Sequence, residues 1–107
     1  MAMYRQGDVL IRSVSRLPKG AQKSPDPGRI VLALGEATGH AHAIAEGEAD
    51  LYSLAKAFRQ SRRFLLVPQN AAVRHEEHLP VHLPSGVYEV VQQRLFGLWD
   101  KTMVAAD

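Results

Sequence analysis

No cysteine occurs in the 107 residues. Disulfides, iron–sulfur clusters and thiolate zinc sites are excluded together, so any metal must be held by imidazole and carboxylate groups. No apolar run approaches the roughly 18 residues that a membrane-spanning helix requires. The opening stretch MAMYRQGDVLI lacks the basic, apolar and small-residue succession of a secretory signal. The expected setting is the cytoplasm, without a membrane partner. Charge of one sign is scarce as well: 13 basic residues against 11 acidic ones leave a formal net charge of +2, too small an excess to argue for nucleic acid by itself. Internal repeats and low-complexity segments are absent.

What is present fits one domain over residues 1–107, with 46% hydrophobic content and a chain long enough to bury a single modest core. YRQGDVLIRSV (4–14) follows a Gly-Asp turn signal with β-branched and apolar residues and reads as a first strand. RLPKGAQKSPDPGR (16–29) is rich in proline and glycine and reads as a flexible loop. RIVLALGE (29–36) is a short continuous apolar stretch of the kind found in strands buried on both faces, and GHAHAIAEG (39–47) alternates as a second strand after a turn near Thr38-Gly39. In LYSLAKAFRQSRR (51–63), Leu51, Leu54, Ala55 and Phe58 match a helical spacing, which predicts one short helix. FLLVPQNAAVRHEEH (64–78) begins as a strand, turns at Pro68-Gln69-Asn70 and resumes at Ala71. Pro80 and Pro84 predict an extended connection, Ser85-Gly86 a turn, and Val87 to Phe96 a last strand. The final residues, 100–107, read as a loose tail. Strand signals at roughly ten-residue spacing, punctuated by glycine and proline, predict a mostly β domain, an antiparallel barrel or sandwich with at most one or two short helices.

The basic cluster RQSRR, with Arg59, Arg62 and Arg63, reads first as a solvated face and second as a phosphate-binding patch. Phe96 and Trp99 read as packing at the edge of the core rather than as a base-stacking platform. Gly35, Gly39 and Gly86 serve turns.

The histidines are the most informative residues. All five, His40, His42, His75, His78 and His82, fall in two short segments. On a strand, residues i and i+2 share a face, so His40 and His42 would present two imidazoles side by side. A metal needs such a pair, a further ligand from elsewhere, and a carboxylate to complete or orient the set. RHEEHLPVH can supply the remainder. His75 and His78 share a face only if the segment makes a helical or 3₁₀ turn; on a strand His75 and Glu77 would do so instead. The HExxH zinc-protease arrangement is excluded, since only two residues separate these histidines and Pro80 stops any long helix.

HAHAIAE resembles the first motif of the cupin superfamily, an H-x-H pair on one strand followed by a glutamate. The resemblance implies a small β-barrel binding a divalent metal, with His40, His42 and Glu46 as the first three ligands. The second cupin motif is met only roughly by PQNAAVRH: Asn70 stands where glycine is expected and His75 arrives about two residues late. The wider pattern GEATGHAHAI…HEEHLPVHLPSGVYEVVQQR is similar to a group of short bacterial and phage-associated proteins, which implies that both histidine segments form one functional unit.

The resulting expectation is a small metal-binding β protein with Zn²⁺, Fe²⁺, Mn²⁺ or Ni²⁺ held by His40, His42 and one or two of His75, His78 and His82. Glu46 is the favoured carboxylate, and an open coordination position would accept water or a small molecule. Two alternatives stand beside it. One is an interaction module binding RNA or protein through Arg59, Arg62 and Arg63. The other is a metal-independent nuclease in which one imidazole acts as base and another as acid, with Glu36, Glu46, Glu76 or Glu77 fixing tautomers.

Overall fold

Eight strands, all paired antiparallel, form the structure, a computed structural model that describes residues 2–25, 28–34, 40–55 and 61–92. They are β1 (Met3–Gln6), β2 (Val9–Val14), β3 (Gln22–Lys23), β4 (Ile30–Leu34), β5 (Ala41–Ile44), β6 (Asp50–Ala55), β7 (Ser61–Arg74) and β8 (Val81–Gln92). Among the described residues there is no helix, hence none long and apolar enough to cross a membrane. The mostly β expectation holds, in the form of one bent, unclosed sheet. Its path runs β1-β2-β8-β7-β5-β4, with β6 also paired to β7 and β3 to β6.

The Gly-Asp signal makes a hairpin turn. Gln6 pairs with Val9, which leaves Gly7 and Asp8 as the two-residue connection, and Gly7 takes the positive φ of 57° that such a turn requires. At the centre of the sheet, β7 divides one edge between two partners. Its first residues, Ser61 to Leu66, pair with β6, while Val73 and Arg74 pair with β5.

The expected turn at Pro68-Gln69-Asn70 is instead an irregularity inside β7. The register against β8 shifts between Val67 and Asn70, which face Gly86 and Pro84. The extra residue lets Pro68, which has no N–H to give, sit in the strand without ending the ladder, and bends both strands. The expected turn at Ser85-Gly86 is likewise strand: β8 begins at Val81 rather than at Val87, and Gly86 pairs with Val67. The expected helix over 51–63 is also overturned where the chain is described: Asp50 to Ala55 pairs residue for residue with Leu66 to Ser61. Cross-strand pairing overrides a short helical spacing here. Within the expected loop 16–29, Gln22 and Lys23 pair with Ser53 and Tyr52.

Strand β4 is not buried on both faces. It ends the sheet path, leaving Val31 and Leu34 exposed, and a register shift between Val31 and Ala33 turns the consecutive Leu32 and Ala33 inward. These two join Val9 and Ile11 of β2, Ile44 of β5, Leu65 and Val73 of β7, and Leu83 and Val90 of β8 in one core cluster. Strands from both ends of the path therefore share a core, so the sheet curls over itself. Each large aliphatic side chain buried this way contributes on the order of 1.5–3 kcal/mol. The opposite face of β2, β7 and β8 carries Arg12, Arg62, Phe64 and Glu89. Gly35, Gly39, Glu36, Arg59, Phe96, Trp99 and the tail 100–107 lie outside the described residues.

Candidate metal centre

All four residues of β5 are buried, His42 at 3% exposure among them. His42 shares a face with Ile44, and its ring must find polar partners inside the protein. The β1–β2 hairpin supplies them. Gln6, itself buried, donates its side-chain N–H groups to Val73 O and Leu79 O, both at 2.9 Å. Its Oε1 therefore faces His42 Nδ1, at 2.8 Å, and accepts the proton of that nitrogen. The neutral ring then keeps its lone pair on Nε2, the form in which an imidazole binds metal, with its other nitrogen held by a neighbouring acceptor. The Asp8 carboxylate comes to 3.6 Å from His42 Nε2.

The segment after β7 is neither helix nor strand. Residues 76–78 form a bend, and it brings the rings of His75 and His78 to 4.6 Å. His75 lies 4.4 Å from His42 and His78 5.6 Å from it, centroid to centroid. The turn closes over this group: a Cβ at Gly7 would stand 3.1 Å from both His42 Cε1 and His78 Nε2. Donor atoms of His42, His75 and His78 all lie within 4.8 Å of one another. Zn–N bonds of about 2.1 Å bring one ion within reach of all three after small side-chain rotations.

His40, just before β5, belongs to a different group. Its ring meets His75 edge-on at 5.6 Å, with an interplanar angle of 83°, and donor atoms of His40, His75 and Glu76 again lie within 4.8 Å of one another. Glu76 Oε1 accepts the N–H of Ala41 at 3.1 Å. Its own backbone N–H and that of Ala41, then the neighbouring His40 and His75, hold this carboxyl below the usual carboxylate range. His75 Nδ1 accepts the N–H of Glu77 at 3.0 Å, which leaves the proton of the neutral ring on Nε2.

The two histidine segments thus meet, with His75 at the junction. The i, i+2 pair divides between the two donor groups: His42 falls in the first and His40 in the second. Glu46 lies exposed in the turn after β5, at the opposite end of that strand from His40, and His82 is exposed on β8 beside Ala72 of β7; neither enters a donor group among the described residues. Gln6, Gly7 and Asp8 are parts of the site that the histidine pattern does not reveal. The only local signal was the Gly-Asp turn, and nothing in it announces where the turn docks.

The basic cluster is largely spoken for. Arg62 donates to both oxygens of the buried Glu89, at 2.7 and 2.9 Å, and Arg12 donates to one of them at 2.6 Å. Arg63 donates to Leu32 O at 2.7 Å, and burial lowers its pKa.

No curated protein and no solved structure matches the chain, and no cupin family appears among the matches. A family match covers residues 5–93, and so takes in the hairpin turn as well as both histidine segments. The chain belongs to that family, described as a domain of unknown function (DUF8820).

Proposed function

We propose that this chain is a metal-binding β protein whose ion rests on His42, His75 and His78 and keeps an open coordination position for water or a small molecule. The hydrogen bond from His42 Nδ1 to Gln6 carries the reading, because it leaves Nε2 as the coordinating atom of a buried ring. The position of Asp8 adds support. A carboxylate oxygen and a lone-pair nitrogen 3.6 Å apart repel unless a proton or a cation lies near them. Three imidazole nitrogens suit Zn²⁺, Ni²⁺ or Fe²⁺, and Mn²⁺ less well. Three protein ligands plus an open position is the arrangement that polarises a bound water.

The test is a Zn²⁺ titration of untagged wild type, His42→Ala, His75→Ala and the double variant. Each single change should lower affinity by about 100-fold or more, and the double should lose far less than the sum, because the first removal already breaks the triad. Unchanged affinity in either single variant, or no binding by the wild type, overturns the reading.

One observation favours a second reading. Without metal, the lone pair on His42 Nε2 is a base, and a protonated His75, whose ring centroid lies 4.4 Å from that of His42, would be the acid that metal-free acid–base chemistry requires. A wild type that binds no ion would promote it. Nucleic-acid binding through Arg59, Arg62 and Arg63 has less support, since Arg62 and Arg63 already serve acceptors within the sheet.

A further inference from the structure

We infer that the cluster offers two adjacent metal positions sharing His75: the buried one with His42 and His78, and a second one formed by His40, His75 and Glu76. The inference rests on the metal reading of the first triad. The second position has its own three donors within 4.8 Å of one another, one of them a carboxylate. It also has an unmet need: His40 Nδ1 is buried, with no hydrogen-bond partner among the described residues, and the nearest ionic partner, Glu77 Oε1, stands off at 3.4 Å. A buried nitrogen in that state carries a desolvation cost that an ion would relieve.

His75 can serve both positions only through its two nitrogens, since one lone pair serves one ion. Each nitrogen makes one exchange: an ion at Nε2 displaces the only ring proton, to solvent, and an ion at Nδ1 takes the lone pair from the Glu77 N–H, which is left to water at that exposed residue, so that the resulting imidazolate bridges. Charge is balanced too. Two divalent ions bring four positive charges; the imidazolate supplies one negative charge, and the carboxylates of Asp8, Glu76 and Glu77 supply three.

The second position is the accessible one. His75 and Glu76 line a cleft of about 370 Å³ together with the buried Ala41 and Ala43 and the exposed Arg29 and Arg74. An ion held there would face that space, whereas His42 is closed in by the hairpin turn.

The experiment is elemental analysis and Zn²⁺ titration of the untagged full chain, with His40→Ala, Glu76→Gln, His42→Ala and His78→Ala as variants and circular dichroism to verify folding. Wild type should bind two ions per chain. His40→Ala and Glu76→Gln should each retain one, and both lie at partly exposed positions where substitution leaves the core intact. One ion in wild type that His40→Ala and Glu76→Gln leave in place overturns the second position while the first triad stands. One ion that His42→Ala and His78→Ala leave in place but His40→Ala or Glu76→Gln removes overturns the first triad and with it the pair of positions; one ion that all four variants leave in place, or no ion at all, overturns both. Cu²⁺ supplies the check on the bridge: in wild type with two ions bound, magnetic coupling should weaken the paramagnetic resonance signal per ion, and His40→Ala should restore it. Full signal from doubly loaded wild type overturns the shared imidazolate.

Discussion

Gln6 and His42 fix each other: the amide cannot turn without facing its oxygen to two carbonyls, and the imidazole cannot turn without losing Gln6 Oε1 as its Nδ1 acceptor. Gln6→Ala should therefore act twice. Orphaning buried polar groups of this kind costs about 1–3 kcal/mol of stability, read as a lower urea midpoint. Losing the partner that orients a metal ligand costs roughly 10–100-fold in metal affinity. Gln6→Glu separates the two effects. It keeps an acceptor for His42 but has no N–H for Val73 O and Leu79 O, so it should lose stability and retain most of the affinity. Equal affinity in wild type and Gln6→Ala would show that His42 needs no such support.

Gly7 tests the closure of the hairpin over the cluster. An alanine there takes a strained positive φ and also sets its Cβ 3.1 Å from two imidazoles, so Gly7→Ala should lower both stability and metal affinity. Gly47, at φ 88° with nothing within 4 Å of an added Cβ, is the control. Gly47→Ala should lose about 1 kcal/mol through the backbone alone and titrate with metal like wild type. If Gly7→Ala also binds like wild type, the turn does not confine the imidazoles.

Glu89 governs an acid-sensitive term. Hydrogen bonding from Arg62, then from Arg12, holds its carboxyl down at about 2, against an ordinary 4.5. A carboxyl depressed in the folded state adds stability that is fully present above its unfolded value and fades as pH falls through its folded one. Wild-type stability should thus decline between about pH 4.5 and pH 2 from this group. Glu89→Gln should be less stable at pH 7 by about 1–3 kcal/mol and show a shallower decline on acidification. Denaturant midpoints at pH 7, 4 and 2.5 measure it, and parallel curves for the two proteins would remove Glu89 from the account. Arg62→Ala should likewise reduce stability while leaving Zn²⁺ affinity unchanged.

The β character was legible because its signals are local: alternation along residues 39–47, the Gly-Asp turn, prolines that forbid long helices. The meeting of two histidine segments was legible for a different reason, the confinement of one residue type. The rest depends on pairings that no window of sequence contains. Leu51 and Leu54 fit a helix until Phe64 and Leu65 stand opposite that stretch. Pro68 reads as a turn unless the facing strand can absorb an extra residue. The carry-over of Glu46 as a ligand supposed that β5 presents one face from His40 to the following glutamate, but the strand ends at Ile44 and turns away. Gln6 was invisible, since an isolated glutamine acquires meaning only from the histidine and carbonyls it finds 36, 67 and 73 residues away.

Those separations bear on the order of events during folding. The triad and its hairpin closure draw on the first strand, the middle of the chain and the bend before the last strand, so the ligands converge only after the most distant pairings are made. Non-local topologies of this sort fold in milliseconds to seconds, with loop-closure entropy spent before any contact repays it. The unfolded chain offers an ion only scattered pairs such as His75 and His78. An ion would then arrive as a late lock on a finished sheet rather than a template around which the sheet grows, raising the barrier to unfolding while leaving the folding rate almost unchanged.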